Sequence, residues 1–222
     1  MSARVPHREF HALQQRIVAC RQCPRLVQYI AGIHKQFPTY WCQPVPAFGD
    51  ADARIILLGL APGRYGSNRT GRMFTGDASG SFLFPTLHRS GLCSQPDATD
   101  RHDGLQLHGV LITAAARCAP PQNKPTREEL RRCGGYLAEE FALLPKVRVV
   151  VALGKIAHDA YLRLRRRKLA AHPFQHGAMY EWPGEPVLLD TYHPSRQNTN
   201  TGKLTRPMFE AVFRRAKQLS GL

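Results

Sequence analysis

The chain has 222 residues, enough for one well-buried core, and shows no linker that would divide it into two domains. Its 31 Lys and Arg against 16 Asp and Glu give a formal charge of +15, which predicts attraction to polyanions through counterion release from a phosphate backbone. No run approaches the roughly 20 apolar residues that span a bilayer, and MSARVPHREF lacks the apolar core of a secretory signal. No membrane partner is therefore expected, and the expectation is an intracellular, cytoplasmic and nucleoid-associated monomer.

In chain order, residues 7–30 read as a helical segment that packs at a sheet edge. RIILLGL (54–60) is the first of four apolar runs, the others being GVLITAA (109–115), VRVVVAL (147–153) and PVLLDTY (186–192). Runs that are apolar nearly throughout are expected of parallel strands covered on both faces. Helical patterns lie between and after them. Residues 79–90 read as a helix, and 91–108, polar with few apolar anchors, as a surface loop. Residues 126–144 open on a capping box, Thr126 with Glu129, and place Leu130, Cys133, Leu137, Phe141 and Leu144 on one stripe. Residues 154–165 carry Ile156, Ala160, Tyr161 and Leu164, and the last helix, about 206–219, carries Phe209, Phe213, Ala216 and Leu219. The alternation predicts an α/β fold: three-layer α/β/α with a central four-stranded parallel sheet. Loops 59–77, 116–125, 154–155 and 193–202 all leave carboxyl ends of strands, where such sheets bind ligands.

Six cysteines in a chain without a secretory signal favour metal ligation over disulfides. Cys20 and Cys23 form a C-x2-C pair before Pro24, with no strand ahead of it as a redox dithiol would normally have. Cys118 and Cys133 are the partners to consider. Four thiolates from distant segments suit a [4Fe–4S] cluster better than a zinc knuckle or ribbon built from compact pairs. Zinc, and an ordinary buried helix cysteine at Cys133, remain alternatives. Cys42 and Cys93 are surplus and read as small buried hydrophobes.

GLAPGRYGSNRTGRMFTGD (59–77), RCAPPQNKPT (117–126), HPSRQNTNTG (193–202) and the four spaced cysteines together resemble family 5 uracil-DNA glycosylases, the type-b iron–sulfur branch of that superfamily. The likeness runs from Cys20 to the final helix. The related family 4 carries an acidic residue where this chain has Leu60 and an asparagine where it has Ala114, and both departures match family 5. The resemblance implies a DNA glycosylase acting in base excision repair, on uracil and on a broader set of deaminated bases that includes hypoxanthine and xanthine.

Such chemistry requires the target nucleotide to be extruded from the duplex into a pocket. By the resemblance, Phe74 stacks on the base, although it also reads as an ordinary core residue, and His193, at the motif-2 position, donates to the departing base oxygen. Asp77 is the carboxylate left to stabilise the sugar cation and orient water, although an Asp before residues 79–90 also reads as a helix cap. Asn123 is a candidate for the same water or a base edge, or is a turn residue between two prolines. Gly59, Ala61, Pro62 and Gly63 form a tight turn whose main-chain N–H groups approach a base or phosphate. Arg69 and Arg72 are candidate DNA contacts or solvated side chains. Ser195, Arg196 and Gln197 lie where the family enters the minor groove. The basic run Arg163 to Lys168 fits general DNA attraction or a solvated helix end. A lyase would need an amine near the sugar, and only Lys155 and Lys124 follow strands. The competing readings are a non-catalytic iron–sulfur module that binds nucleic acid and a zinc-stabilised basic protein.

Overall fold

The computed structural model describes residues 4–222. The expected N-terminal helical segment consists of two helices, α1 (Arg4–Val18) and α2 (Pro24–Gln36). Pro24 holds the first turn of α2, and Cys23 before it is extended at φ −113, ψ 91, as steric clash with a following proline demands. This break is what frees Cys20 and Cys23 from helical geometry.

The chain then runs through β1 (Phe48–Gly49), β2 (Ile55–Gly59), the short α3 (Ser67–Thr70), α4 (Ala78–Arg89), β3 (Val110–Ala114), α5 (Arg127–Leu143) and β4 (Val149–Leu153). It ends with α6 (Lys155–Leu164), β5 (Met179–Tyr180), β6 (Val187–Thr191), α7 (Arg196–Asn200) and α8 (Arg206–Ser220). One sheet has the order β1-β3-β2-β4-β6-β5. The four expected strands form its parallel centre, and the sheet has six strands because β1 and β5 pair antiparallel at the two edges. Each edge strand has two residues, too few to leave a period-two pattern.

Side chains alternate to two buried faces. Ile55, Leu57, Val110, Ile112, Val149 and Val151 meet Leu83, Phe84, Leu87, Phe209 and Phe213 on one side. Ile56, Leu58, Leu111, Val150 and Ala152 meet Leu137, Ala157, Tyr161 and Leu162 on the other. Ile156 departs from its expected inward stripe and is exposed, because α6 buries Ala157, His158, Tyr161 and Leu162 instead. Cys42 and Cys93 are buried, as expected.

Segment 91–108 is the irregular, largely exposed loop expected, and a few buried residues anchor it. Leu92, Cys93, Leu105 and Leu107 are buried, and Cys93 pairs with Leu107 in an isolated antiparallel bridge. It also supplies Asp103, whose carboxylate takes a two-pronged ion pair from Arg72 at 2.7 and 2.6 Å. No helix among the described residues is long and apolar enough to cross a membrane.

Candidate active site

Parallel register brings the strand ends level: Gly59 pairs with Ala114, Leu153 with Thr191. The loops leaving this rim enclose a cavity of ≈ 370 Å³, within the size range of small-molecule sites. Gly59, Ala61, Gly63, Phe74, Asp77, Ala114, Asn123, His193, Ser195 and Gln197 line it, joined by Leu60, Ser67, Met73 and Ser79. Asp77 and His193, from loops more than a hundred residues apart, thus face one space.

Phe74 is set by three neighbours. Its N–H donates to the buried Ser67 hydroxyl at 2.9 Å. Its ring lies over Gly59, where a Cβ would come within 3.1 Å of Cε2, and its carbonyl fills the space beside Gly80, where a Cβ would approach to 1.8 Å. The backbone is left-handed at φ 54, a conformation that costs a bulky residue about 1–3 kcal/mol. The ring stands 5.8 Å from the His193 ring, tilted by 30°.

Asp77 caps a helix, one of the two readings given for it, and also lines the cavity. One carboxylate oxygen, Oδ1, caps α4 by accepting the Ser79 and Gly80 N–H groups at 3.0 Å each. The other, Oδ2, packs against Gly63 and Gly66, and a Cβ on Gly66 would fall 2.1 Å from it. Burial raises the carboxyl above its ordinary value, opposed by the Gly80 and Ser79 N–H groups and by the charges of Arg69 and Arg196.

His193 follows β6. Burial lowers its ring to about 4, so the imidazole is neutral at pH 7 and keeps one N–H donor. Its carbonyl accepts from the Asn198 side chain at 2.9 Å and from the Ser195 N–H at 2.8 Å, which fixes the loop. Asn123 ends a one-turn 3-10 helix (Pro121–Asn123) with φ 56, a left-handed geometry that Asn tolerates, and is exposed at the cavity.

Other expected residues fall elsewhere. Arg72 is buried and fully committed: beyond Asp103, its Nε donates to Thr75 Oγ1 at 2.8 Å and its guanidinium lies 4.8 Å over the Phe48 ring. It is a buried, structural arginine rather than the exposed contact expected. Burial alone would raise the Asp103 carboxyl, but Arg72 and the N–H groups of Leu105, Asp100 and Thr99 hold it well below the carboxylate range. Arg69 is half-buried and donates to the Tyr65 and Gly76 carbonyls at 2.8 and 3.0 Å, closing the 59–77 loop on itself. Pro62 is buried in the turn and lines no part of the cavity. Ser195 caps α7 through its hydroxyl, and Arg196 is exposed at the Asp77 side of the mouth. Ser67, Met73 and Ser79 were not singled out in the sequence. Their types carry no signal, and only the left-handed backbone at Phe74 turns Ser67 toward it.

All four expected metal-ligating cysteines are free thiols, three of them buried. Cys23 and Cys118 pack together with Leu26. Burial raises the Cys118 thiol to about 12, with further contributions from Cys133, Cys20 and Cys23. Four thiolates so placed need a cation to stay ionised, which is the chemistry a metal cluster provides. Among the described residues no three His, Cys, Asp or Glu side chains are grouped to hold a single metal ion. An ion pair ties α2 to α5, Arg25 Nε and Nη2 reaching Glu129 at 2.8 and 2.7 Å. Glu129 also completes the expected capping box with Thr126.

Comparison with known proteins agrees with this arrangement. Residues 46–217 match the family model described as the Uracil DNA glycosylase superfamily. The chain is 56% identical over 216 residues to the type-5 uracil-DNA glycosylase of Thermus thermophilus, covering 95% of this chain and 98% of that protein. It is 44% identical over 218 residues to the type-5 uracil-DNA glycosylase of Mycobacterium leprae, covering 95% of each. Identity to the type-4 uracil-DNA glycosylase of Archaeoglobus fulgidus is lower, 29% over 213 residues, with 92% of this chain and 90% of that protein covered. The chain belongs to the uracil DNA glycosylase superfamily, and within it to the type-5 uracil-DNA glycosylases.

Proposed function

We propose that the protein is a monofunctional DNA glycosylase that hydrolyses the N-glycosidic bond of deoxyuridine in DNA, and of other deaminated nucleotides including deoxyinosine and deoxyxanthosine, to open base excision repair. The observation that carries this reading is the joint exposure of Asp77, His193 and Phe74 to one cavity. The everted base lies against the Phe74 ring. As the C1′–N bond breaks, its electron pair passes to the base, and the neutral His193 N–H stabilises the charge gathering on the base oxygen. Asp77 Oδ2 faces the cationic sugar and orients the water that attacks C1′, with Asn123 as a second contact for that water. Ala114 offers no side-chain hydrogen bond to the base edge, which supports a tolerant base selection.

Lys155 is held by Asp159 at 2.8 and 2.9 Å and Lys124 lines no part of the cavity, which supports hydrolysis without a lyase step. Cys20, Cys23, Cys118 and Cys133 would hold a [4Fe–4S] cluster. When bound, it would supply a covalent tie between the N-terminal segment, the loop after β3 and α5. None of these cysteines lines the cavity, and four thiolates drawn from distant segments of the chain suit a cluster better than zinc. Incubation with duplexes carrying one deoxyuridine, deoxyinosine or deoxyxanthosine, followed by alkaline strand cleavage, tests the activity. Tight binding with no abasic product from any of the three would favour the non-catalytic binding module.

A further inference from the structure

Tyr65 is the most exposed large hydrophobic side chain among the described residues, at 57%, and it lies in the loop that lines the candidate active site, between Gly63 and Ser67. A tyrosine so exposed is not there for the core. Its placement is nonetheless fixed. Arg69 Nε donates to the Tyr65 carbonyl at 2.8 Å. Phe37 meets the Tyr65 ring edge-on at 6.4 Å, and Phe37 is itself stacked on Tyr40 at 4.7 Å. The Arg64 guanidinium stands 5.1 Å over the same ring and is anchored by Nη2 to Gln36 Oε1 at 2.7 Å. The result is an exposed aromatic ring, met edge-on by Phe37 and with a fixed cation over one face, next to a cavity sized for a small planar ligand.

A nucleobase with a phosphate attached is the chemistry such a surface fits, since aromatic faces stack on bases of any sequence and cations track the backbone. We infer that Tyr65, with Arg64, is a stacking platform for the free face of a nucleobase adjacent to the everted nucleotide. This rests on the glycosylase reading above, because eversion is what leaves a neighbouring base with a free face. The platform also predicts that the protein binds lesions in single strands, where neighbouring bases are free already.

The test is a binding cycle between protein and DNA. A single-stranded oligonucleotide carries one uncleavable 2′-fluoro-deoxyuridine, and its 5′ or 3′ neighbour is replaced in turn by an abasic tetrahydrofuran. Affinities are measured for the wild-type protein, Tyr65→Ala and Tyr65→Phe. Tyr65→Ala should bind the intact strand roughly 10-fold or more weakly, the scale of one lost base–aromatic stack, and Tyr65→Phe should bind nearly as the wild type. Removing the stacked neighbour should weaken the wild type by the same factor and leave Tyr65→Ala unchanged. Additive losses, or wild-type affinity in Tyr65→Ala, would overturn the inference. Should Tyr65→Ala fail to fold, Tyr65→Leu keeps an apolar contact to Phe37 without a ring and gives the same reading. Uracil excision by the wild type is measured in parallel: its absence counts against the glycosylase reading alone, and additivity in an active enzyme counts against the platform alone.

Discussion

The two oxygens of Asp77 meet different surroundings, and its cap is separable by substitution from the catalytic role proposed for it. Oδ1 accepts two N–H groups at the start of α4, whereas Oδ2 packs on Gly63 and Gly66 at the cavity. Asn is as good a helix cap as Asp, so Asp77→Asn should keep the cap through its amide oxygen and lose only about 0.3–1 kcal/mol of charge–dipole interaction. Asp77→Ala removes the cap as well and should cost a further ~1 kcal/mol. Chemistry should respond differently, because both variants lack the negative charge opposite the sugar cation. One preorganised electrostatic contact in a dry site is worth about 2.7–4 kcal/mol, so single-turnover excision from a deoxyuridine duplex should fall roughly 100- to 1,000-fold in both. Urea unfolding gives the stabilities and quenched single-turnover reactions give the rates. If Asp77→Asn excises at the wild-type rate, the carboxylate charge has no part in the reaction and Asp77 is only a cap.

Gly66→Ala should slow excision about 100-fold, because Oδ2 must retreat from 2.1 Å to at least 3.0 Å from the new Cβ and a 1 Å misplacement carries that penalty; wild-type rates would contradict the placement of Asp77. His193 should show no NMR titration above about pH 5, since burial holds its ring at about 4. The unfolded chain takes up this proton below about 6.5 and the folded chain does not until about 4, so stability should decline as pH falls through that window. The acid limb of the excision rate should then follow Asp77, whose carboxyl is raised by burial, and vanish in Asp77→Asn. Arg72→Ala should destabilise the fold by about 3–5 kcal/mol with an unchanged salt slope of DNA binding, whereas Arg196→Ala should leave stability alone and reduce that slope by about 1. Purified protein should contain about four iron and four sulfide per chain, both lost in Cys118→Ser; stoichiometric zinc instead would exclude the cluster.

The central strands were legible because a run apolar at every position is compatible with little else than a strand covered on both faces. Their shared carboxyl ends put the loops of Asp77, His193, Phe74 and Asn123 on one rim, and all four line one cavity there. What escaped was decided by partners. Arg72 reads as one more arginine in a basic loop until Asp103, a residue from a segment with no regular pattern, closes on it. Ile156 fits a helical stripe whose phase is set by where α6 meets β4, and the sheet chose the neighbouring Ala157. Pro24 was visible, yet its consequence, two helices with the C-x2-C pair in the break, needed the extended backbone of Cys23.

The left-handed backbone at Phe74 is held in place by its buried ring, which belongs to the core. Glycine or asparagine there would relieve about 1–3 kcal/mol of main-chain strain but forfeit about 3–5 kcal/mol of packing, so both should lower the melting temperature. Selection for heat resistance alone would therefore retain the aromatic ring on which a base is to lie. Sturdiness and the proposed stacking face are guarded by one side chain.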